Sequence, residues 1–169
     1  MTISYRNGSL SDIAAIDRIF RFSFCDTFAH LYRDEDLQAF LSKFTPGAWT
    51  QEIANPDYAF RIAEKEGEAV GYAKLGPLVL PVEPAAPSLE LRQLYLLKEW
   101  HGAGIGRALT DWVIEEARRR EASELYLTVY TDNHRAQALY RHYGFEEVGP
   151  YAFMVGEQAD EDIIMRLKL

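Results

Sequence analysis

The sequence has little of what stabilises or targets several classes of protein. Its 169 residues include a single cysteine, so an intrachain disulfide and a cysteine-based zinc site are both excluded. Its longest apolar stretch, around residues 75–82, is interrupted by Pro77 and Pro81 and is too short to span a membrane. The opening residues, MTISYRNGSLSD, lack the apolar core of a secretory signal. We therefore expect a cytoplasmic protein without a membrane partner.

Positive charge is also scarce. There are 18 Lys and Arg against 26 Asp and Glu, which gives a formal net charge of −8. Nucleic-acid-binding surfaces are usually basic, so no nucleic-acid partner is expected. The acidic balance suits a small partner that is cationic or neutral. The length is typical of one domain, which we place at residues 1–169. Monomer and homodimer both stay open.

Hydrophobic periodicity predicts a mixed α/β domain. Alternating patterns predict strands at residues 2–6, 58–63, 69–75, 89–97, 124–130, 145–155 and 162–169. Helical spacing predicts one helix after Ser9 and others at residues 34–44, 105–120 and 133–143. Pro46-Gly47 is expected to end the second helix.

A glycine-rich loop precedes the clearest helix and reads Trp100-His101-Gly102-Ala103-Gly104-Ile105-Gly106-Arg107. Glycine lets the backbone approach a ligand closely, and a helix N-terminus directs free N–H groups at an anion. A pyrophosphate is therefore the natural ligand. Arg107 and Leu109 stand where the dinucleotide fingerprint G-x-G-x-x-G would need a glycine, and the G-K-[ST] of a P-loop is absent. A glycine turn without a ligand is the alternative.

A second segment, residues 133–145, reads N-H-R-A-Q-A-L-Y-R-H-Y-G-F. Its spacing puts Ala136, Leu139, Tyr140 and Tyr143 on one helical face. On pattern alone, Asn133 is a helix N-cap and Tyr140 is a core tyrosine.

Together these segments resemble the GNAT superfamily of acyl-CoA N-acyltransferases. The family's acetyl-CoA loop, Q/R-x-x-G-x-G/A, corresponds to His101-x-x-Gly104-x-Gly106, with His in place of Gln or Arg. Its helix N-x-x-A-x-x-L/F-Y-x-x-x-G-F corresponds to residues 133–145, and its strand E-L-x-x-L-Y-V to residues 90–96. The resemblance implies a mixed, mostly antiparallel, twisted sheet of about seven strands, with helices on both faces and a gap between the fourth and fifth strands.

The resemblance also implies an N-acetyltransferase that uses acetyl-CoA and no metal. The residues implied to bind acetyl-CoA are Leu94, Tyr95, Leu96, His101, Gly102, Ala103, Gly104, Ile105, Gly106, Arg107, Asn133 and Tyr140. Tyr140 would also protonate the departing thiolate, because a phenol with a reference pKa of about 10 keeps its proton at neutral pH. Glu90 is the predicted base, acting directly or through water; an exposed carboxylate at a strand edge is the alternative for Glu90.

The acceptor is less constrained by the sequence. Asp26-Thr27-Phe28, Phe153-Met154-x-Gly156 and Asp162-x-Ile164-Met165 resemble the PaiA-type acetyltransferases, which are associated with polyamines and related amines. The net charge and the acidic Asp34-Glu35-Asp36 also favour a small amine or polyamine. A protein or peptide acceptor and a non-catalytic acyl-CoA-binding sensor are the alternatives.

Overall fold

Seven strands and five α-helices make up the computed structural model, which describes residues 2–169; residue 1 of the predicted domain lies outside them. The strands are β1 (Ser4–Asn7), β2 (Ala59–Lys65), β3 (Glu68–Pro77), β4 (Ser88–Leu96), β5 (Glu124–Tyr130), β6 (Glu146–Val155) and β7 (Gln158–Lys168). The α-helices are α1 (Ile13–Phe28), α2 (Asp34–Leu41), α3 (Pro46–Ala54), α4 (Ile105–Arg119) and α5 (His134–His142).

The strands form one sheet in the order β1-β2-β3-β4-β5-β7-β6. Every neighbouring pair is antiparallel except β4 and β5, which are parallel. These two strands pair only where Ser88, Leu89 and Glu90 face Glu124, Leu125 and Tyr126. Beyond those positions they separate. The predicted mixed, mostly antiparallel sheet is confirmed, and it is open between β4 and β5.

Two apolar clusters cover the two faces of the sheet. On one face, α4 and α5 pack against the strands through residues such as Leu109 and Val113. On the other face, α1, α2 and α3 bury an aromatic cluster that includes Phe20, Phe24 and Trp49. The predicted placement of helices on both faces is therefore confirmed. Within residues 2–169 no helix combines the length and the apolar character needed to cross a membrane.

Helix α3 corrects the prediction for Pro46-Gly47. Helix α2 ends at Leu41, and Pro46 begins α3 instead of ending the preceding helix. Proline is favoured at the first helical position, because the N–H group that it lacks has no intrahelical partner there. The Thr45 hydroxyl accepts a hydrogen bond from the Ala48 N–H at 3.1 Å and so caps the helix. Strand β7 also begins earlier than predicted, at Gln158.

Replacing Thr45 by Ala should lower the free energy of unfolding by about 1 kcal/mol, because the N-terminus of α3 loses its cap. Urea unfolding followed by circular dichroism measures this change. Thr50→Ala is the matched control, since exposed Thr50 donates its hydroxyl to the Pro46 carbonyl within the same helix at 2.8 Å. We expect the control to stay within about 0.5 kcal/mol of the native protein. Equal losses in both variants would contradict the capping role.

Candidate active site

A cavity of about 680 Å³ occupies the gap between β4 and β5. Residues 91–96 of β4 and residues 127–130 of β5 line two of its walls. The glycine loop and α5 line one end, while α1, the segment after it and β7 line the other. A concave site with apolar walls and a few polar groups is the usual form of a small-molecule site.

The unpaired edge of β4 faces this cavity. The Leu97 N–H donates to the Val70 carbonyl of β3 at 3.0 Å. Because backbone groups alternate in direction along a strand, the N–H groups of Leu94 and Leu96 point to the opposite side, where β5 has separated. The Tyr95 side chain packs against Phe20, with ring centroids 5.4 Å apart, and anchors this part of β4.

Two side chains hold the end of β4 in place. The Ser23 hydroxyl of α1 donates to the Leu96 carbonyl at 2.9 Å, and His101 Nε2 lies 3.3 Å from the same oxygen. The His101 contact ties β4 to the glycine loop. Burial and the charge of Arg135 lower the pKa of His101, which favours the neutral ring. Sequence reasoning missed Ser23. Nothing in the local sequence distinguishes it from other helical serines, because its partner, the Leu96 carbonyl, lies 73 residues away.

The glycine loop forms an uncapped helix N-terminus. Gly102 and Gly104 have φ values of +82° and +83°, and a Cβ at either position would have no atom within 4 Å. Gly104 is the N-cap of α4 and has no side chain to cap it. The N–H groups of Ile105, Gly106 and Arg107 therefore have no intrahelical acceptor. This arrangement fits a pyrophosphate.

Not every predicted loop residue faces the cavity. The Ile105 side chain is fully buried in the apolar cluster between α4 and the sheet, so only the Ile105 backbone is available to a ligand. The Ala103 N–H donates to the Trp100 carbonyl at 3.4 Å. His101, Gly102, Gly104, Gly106 and Arg107 line the cavity directly.

Asn133 and Tyr140 combine a structural position with exposure to the cavity. Asn133 Oδ1 accepts from the Ala136 N–H at 3.3 Å and caps α5, which leaves its amide nitrogen for a ligand. The Tyr140 ring packs edge-on against Phe145 at 5.6 Å, yet Tyr140 lines the cavity. Its hydroxyl has no hydrogen-bond partner in the described part of the chain. Burial raises the pKa of Tyr140 to about 12.

Glu90 lies outside the cavity lining. Its Oε1 accepts from the Val79 N–H at 3.0 Å, and its Oε2 is 3.3 Å from Arg92 Nε. Glu90 is only 6% exposed, so the alternative of an exposed strand-edge carboxylate is wrong. Burial raises the pKa of Glu90, and the Val79 N–H and Arg92 oppose that shift. This position supports the proline-rich segment 76–88; the role of Glu90 as base stays a prediction.

The acidic residues that begin α2 also lie away from the cavity. Asp36 accepts from the Glu157 N–H at 2.8 Å and pairs with Arg33 at 2.8 Å. It therefore joins α2 to the turn between β6 and β7. Within residues 2–169, His, Cys, Asp and Glu side chains form no group of three or more that could hold a metal ion.

Two acidic side chains of β7 line the cavity instead. Asp160 accepts a hydrogen bond from the Tyr32 hydroxyl. Asp162, the register partner of Tyr130 on β5, is 8% exposed. Burial, and then the charge of Asp160, raise the pKa of Asp162 to about 7. The sequence carries a signal for this pair, because acidic residues two apart in a strand share a face.

Comparisons with known proteins agree with this geometry. The model of the acetyltransferase (GNAT) family matches residues 16–145. An uncharacterised N-acetyltransferase of Lactobacillus delbrueckii subsp. lactis is 29% identical over 163 residues, which cover 95% of this chain and 94% of that protein.

Two solved structures share the fold. PaiA N-acetyltransferase from Thermoplasma acidophilum, in complex with coenzyme A, has a TM-score of 0.80 and 24% identity, covering 100% of both chains. Ribosomal-protein-alanine N-acetyltransferase from Brucella melitensis has a TM-score of 0.75 and 30% identity, covering 98% of this chain and 99% of that one.

The family match takes in β4, the glycine loop and α5, which together build the wall of the cavity that fits a pyrophosphate. The chain therefore belongs to the acetyltransferase (GNAT) family, and it is an N-acetyltransferase that depends on acetyl-CoA.

Proposed function

We propose that this enzyme transfers the acetyl group of acetyl-CoA directly to a small primary amine, with Tyr140 as general acid. Tyr140 is a buried residue whose unpartnered hydroxyl opens onto the cavity, and this observation carries the proposal. A general acid must keep its proton at neutral pH and must reach the leaving group. A phenol whose pKa is raised to about 12 meets the first requirement, and its place on the cavity wall favours the second.

The donor would be held mainly by backbone groups. The N–H groups at the start of α4 would bind the pyrophosphate. The N–H groups of Leu94 and Leu96 would face the pantetheine arm and the thioester oxygen, where a donor stabilises developing negative charge. The free amide nitrogen of Asn133 would reach the same arm. Acetyl-CoA supplies the acetyl group as a thioester, and holding it beside the amine makes direct attack effective.

A small acceptor is favoured by a contact that crosses the β7 end of the cavity. An extended peptide needs an open groove, whereas the Tyr32 hydroxyl bonds to Asp160 and links the segment after α1 to β7. Phe28 and Phe153 line the same end.

A protein N-terminus is the second candidate acceptor. It is favoured by the 30% identity with the ribosomal-protein-alanine N-acetyltransferase of Brucella melitensis over nearly the whole chain. Both candidates are primary amines, and both would use the same donor site.

Gly104→Glu should abolish acetyl-CoA binding, because it places a carboxylate beside the pyrophosphate. Titration calorimetry measures the affinity. Gly67→Glu is the matched control: Gly67 has a φ of +85°, close to the +83° of Gly104, and a Cβ at either position meets no atom within 4 Å. The control therefore carries the same backbone strain and charge in a distant hairpin turn, and it should bind acetyl-CoA normally. Normal binding by Gly104→Glu would refute the loop assignment.

Tyr140→Phe should lower kcat by about 10²- to 10⁴-fold, the usual value of general acid catalysis, while the affinity for coenzyme A stays nearly unchanged. Steady-state release of free thiol measures kcat. Tyr126→Phe is the control: it removes a hydroxyl from β5, where it donates to Glu124 at 3.2 Å outside the cavity. That control should keep a kcat near the native value. If Tyr140→Phe turns over at the native rate, Tyr140 is a packing residue.

Spermidine should be acetylated with a higher kcat/KM than a peptide that begins with alanine, and its kcat/KM should fall as salt rises. Attraction between a polycation and acidic groups is screened over a Debye length of about 8 Å at physiological ionic strength. A monoamine should be less salt-sensitive. Thiol release across a panel of amines and peptides at several salt concentrations measures both effects. Preference for the peptide would instead favour the protein N-terminus as acceptor.

A further inference from the structure

Asp162 is a buried residue whose carboxylate has no partner among the residues that the structure describes. It is 8% exposed, and its side chain takes part in none of the hydrogen bonds or ion pairs formed within residues 2–169. Asp160, by contrast, lies on the same face of β7 and accepts a hydrogen bond from the Tyr32 hydroxyl. Buried carboxylates are normally paired or hydrogen-bonded, because leaving them unpaired is costly. Neither oxygen of Asp162 is among the fully buried, unpartnered side-chain atoms of residues 2–169, so both open onto the cavity, where a ligand can supply the missing partner.

Within residues 2–169, no positively charged side chain pairs with Asp162 or offsets the shift in its pKa. The titratable groups that face it or pair with it in register are Asp160 on β7, Tyr130 on β5, Tyr151 on β6, Tyr95 on β4 and Tyr32 after α1. All are acidic or phenolic. The missing partner should therefore be a cation or a strong hydrogen-bond donor.

The charges of the cavity are separated along its length. Arg107 lies in the glycine loop and Arg135 lies on α5, both at the end that fits a pyrophosphate. The third arginine of the lining, Arg92, is paired with Glu90. Asp160 and Asp162 are the acidic residues of the lining and come from β7. One end thus suits an anion and the other suits a cation.

We propose that Asp162 binds the ammonium group of the acceptor amine and takes its proton, which makes it a catalytic residue of this enzyme. This inference rests on the proposed function and identifies the base that the reaction needs. An alkylamine is mostly protonated at pH 7, since the reference pKa of such a group is about 10.4. The nitrogen has no lone pair for attack until a base removes one proton.

The proton balance is closed by two side chains. The ammonium begins with three N–H bonds, and Asp162 takes the first proton. The nitrogen lone pair then forms the C–N bond as the C–S bond breaks, and the electron pair of that bond leaves on sulfur. Tyr140 gives its proton to sulfur and regains one from the nitrogen, which keeps a single N–H as an amide. Asp162 then releases its proton to solvent, so both residues are restored.

The proposed role of Asp162 predicts the direction in which kcat/KM changes with pH. Burial and Asp160 raise the pKa of Asp162 to about 7, so the carboxylate is ready to accept a proton only above that pH. We expect kcat/KM for spermidine to fall as pH drops through about 7. In Asp162→Asn the free amine must come from solution, so the midpoint should move toward the amine's own pKa of about 10. At pH 7.5 the loss should be about 10²- to 10⁴-fold.

Three further variants make this test specific. Asp160→Asn removes the negative charge that helps raise the pKa of Asp162, so its midpoint should shift to lower pH without disappearing. Glu161→Gln is the matched control, because Glu161 is exposed on the opposite face of the same strand and its loss should leave the profile native. Glu90→Gln tests the competing base. A native profile in Asp162→Asn, or loss of the acid limb in Glu90→Gln instead, overturns the proposal.

Thermal unfolding separates this inference from the proposed function. The pKa of Asp162 is raised in the folded protein, so between about pH 4 and about pH 7 the folded protein holds a proton that the unfolded chain has lost. The free energy of unfolding therefore falls as pH rises through this range. Asp162→Asn should therefore melt higher than the native protein at pH 8 and equally at pH 4. Spermidine at pH 8 should raise the melting temperature of the native protein and not that of the variant.

Turnover and stabilisation by spermidine together show whether the proposed function or the role of Asp162 fails. Stabilisation by spermidine that needs Asp162, without turnover of any amine, leaves the cation site standing and overturns the proposed function. Turnover with equal spermidine effects on both proteins leaves the function standing and overturns the role of Asp162. The absence of both turnover and stabilisation overturns both.

Discussion

The separation of β4 from β5 is the constraint on which the site depends. Two parallel neighbours share only three register positions and then lose their ladder, although unpaired backbone groups in a buried region are costly. The aromatic cluster under α1 and the largely aliphatic cluster under α4 cover the sheet on its opposite faces. The backbone groups exposed in the gap must then find partners other than β5. Ser23 and His101 contact the Leu96 carbonyl. The N–H groups of Leu94 and Leu96 remain open to a ligand in the gap.

The same gap sets the polarity of the cavity. Helix α4 begins at one end, so its unsatisfied N–H groups and its dipole favour an anion there. Strand β7, which is hydrogen-bonded to β5, brings Asp160 and Asp162 to the other end. The net charge of −8 does not predict this arrangement, because it says nothing of where the charges lie. Asp36, for example, contributes to the total but serves to join α2 to the turn at Glu157.

Sequence reasoning succeeded where the determinant is local. The glycine loop, the Asn133 cap and the strand at residues 124–130 depend on neighbours within a few positions, and all three are present in the structure. It failed where a local signal has two meanings, as at Pro46, or where tertiary packing decides. Glu90 looks like an exposed strand-edge residue until the proline-rich segment is placed over it. The environment of Asp160 depends on Tyr32, which lies 128 residues away in the sequence and donates its hydroxyl to this carboxylate.

Two kinds of buried polar group bear on the function of this protein. Lys74 is paired with Glu52 at 2.8 Å, and Glu90 accepts from the Val79 N–H, so these groups stabilise the fold. Tyr140 and Asp162 have no hydrogen-bond or ion-pair partner in the described part of the chain, and both line the cavity.

Burial disfavours the charged form of both groups, so it raises the pKa of each. It raises the pKa of Asp162 to about 7, which makes the carboxylate a stronger base. It raises the pKa of Tyr140 to about 12, so proton transfer from the phenol to a thiolate, whose reference pKa is about 8.5, is uphill by itself. Tyr140 can complete that transfer only because the newly acylated nitrogen is strongly acidic and returns a proton to it. In this chemistry the phenol is a relay between nitrogen and sulfur, and the net proton leaves the site through Asp162.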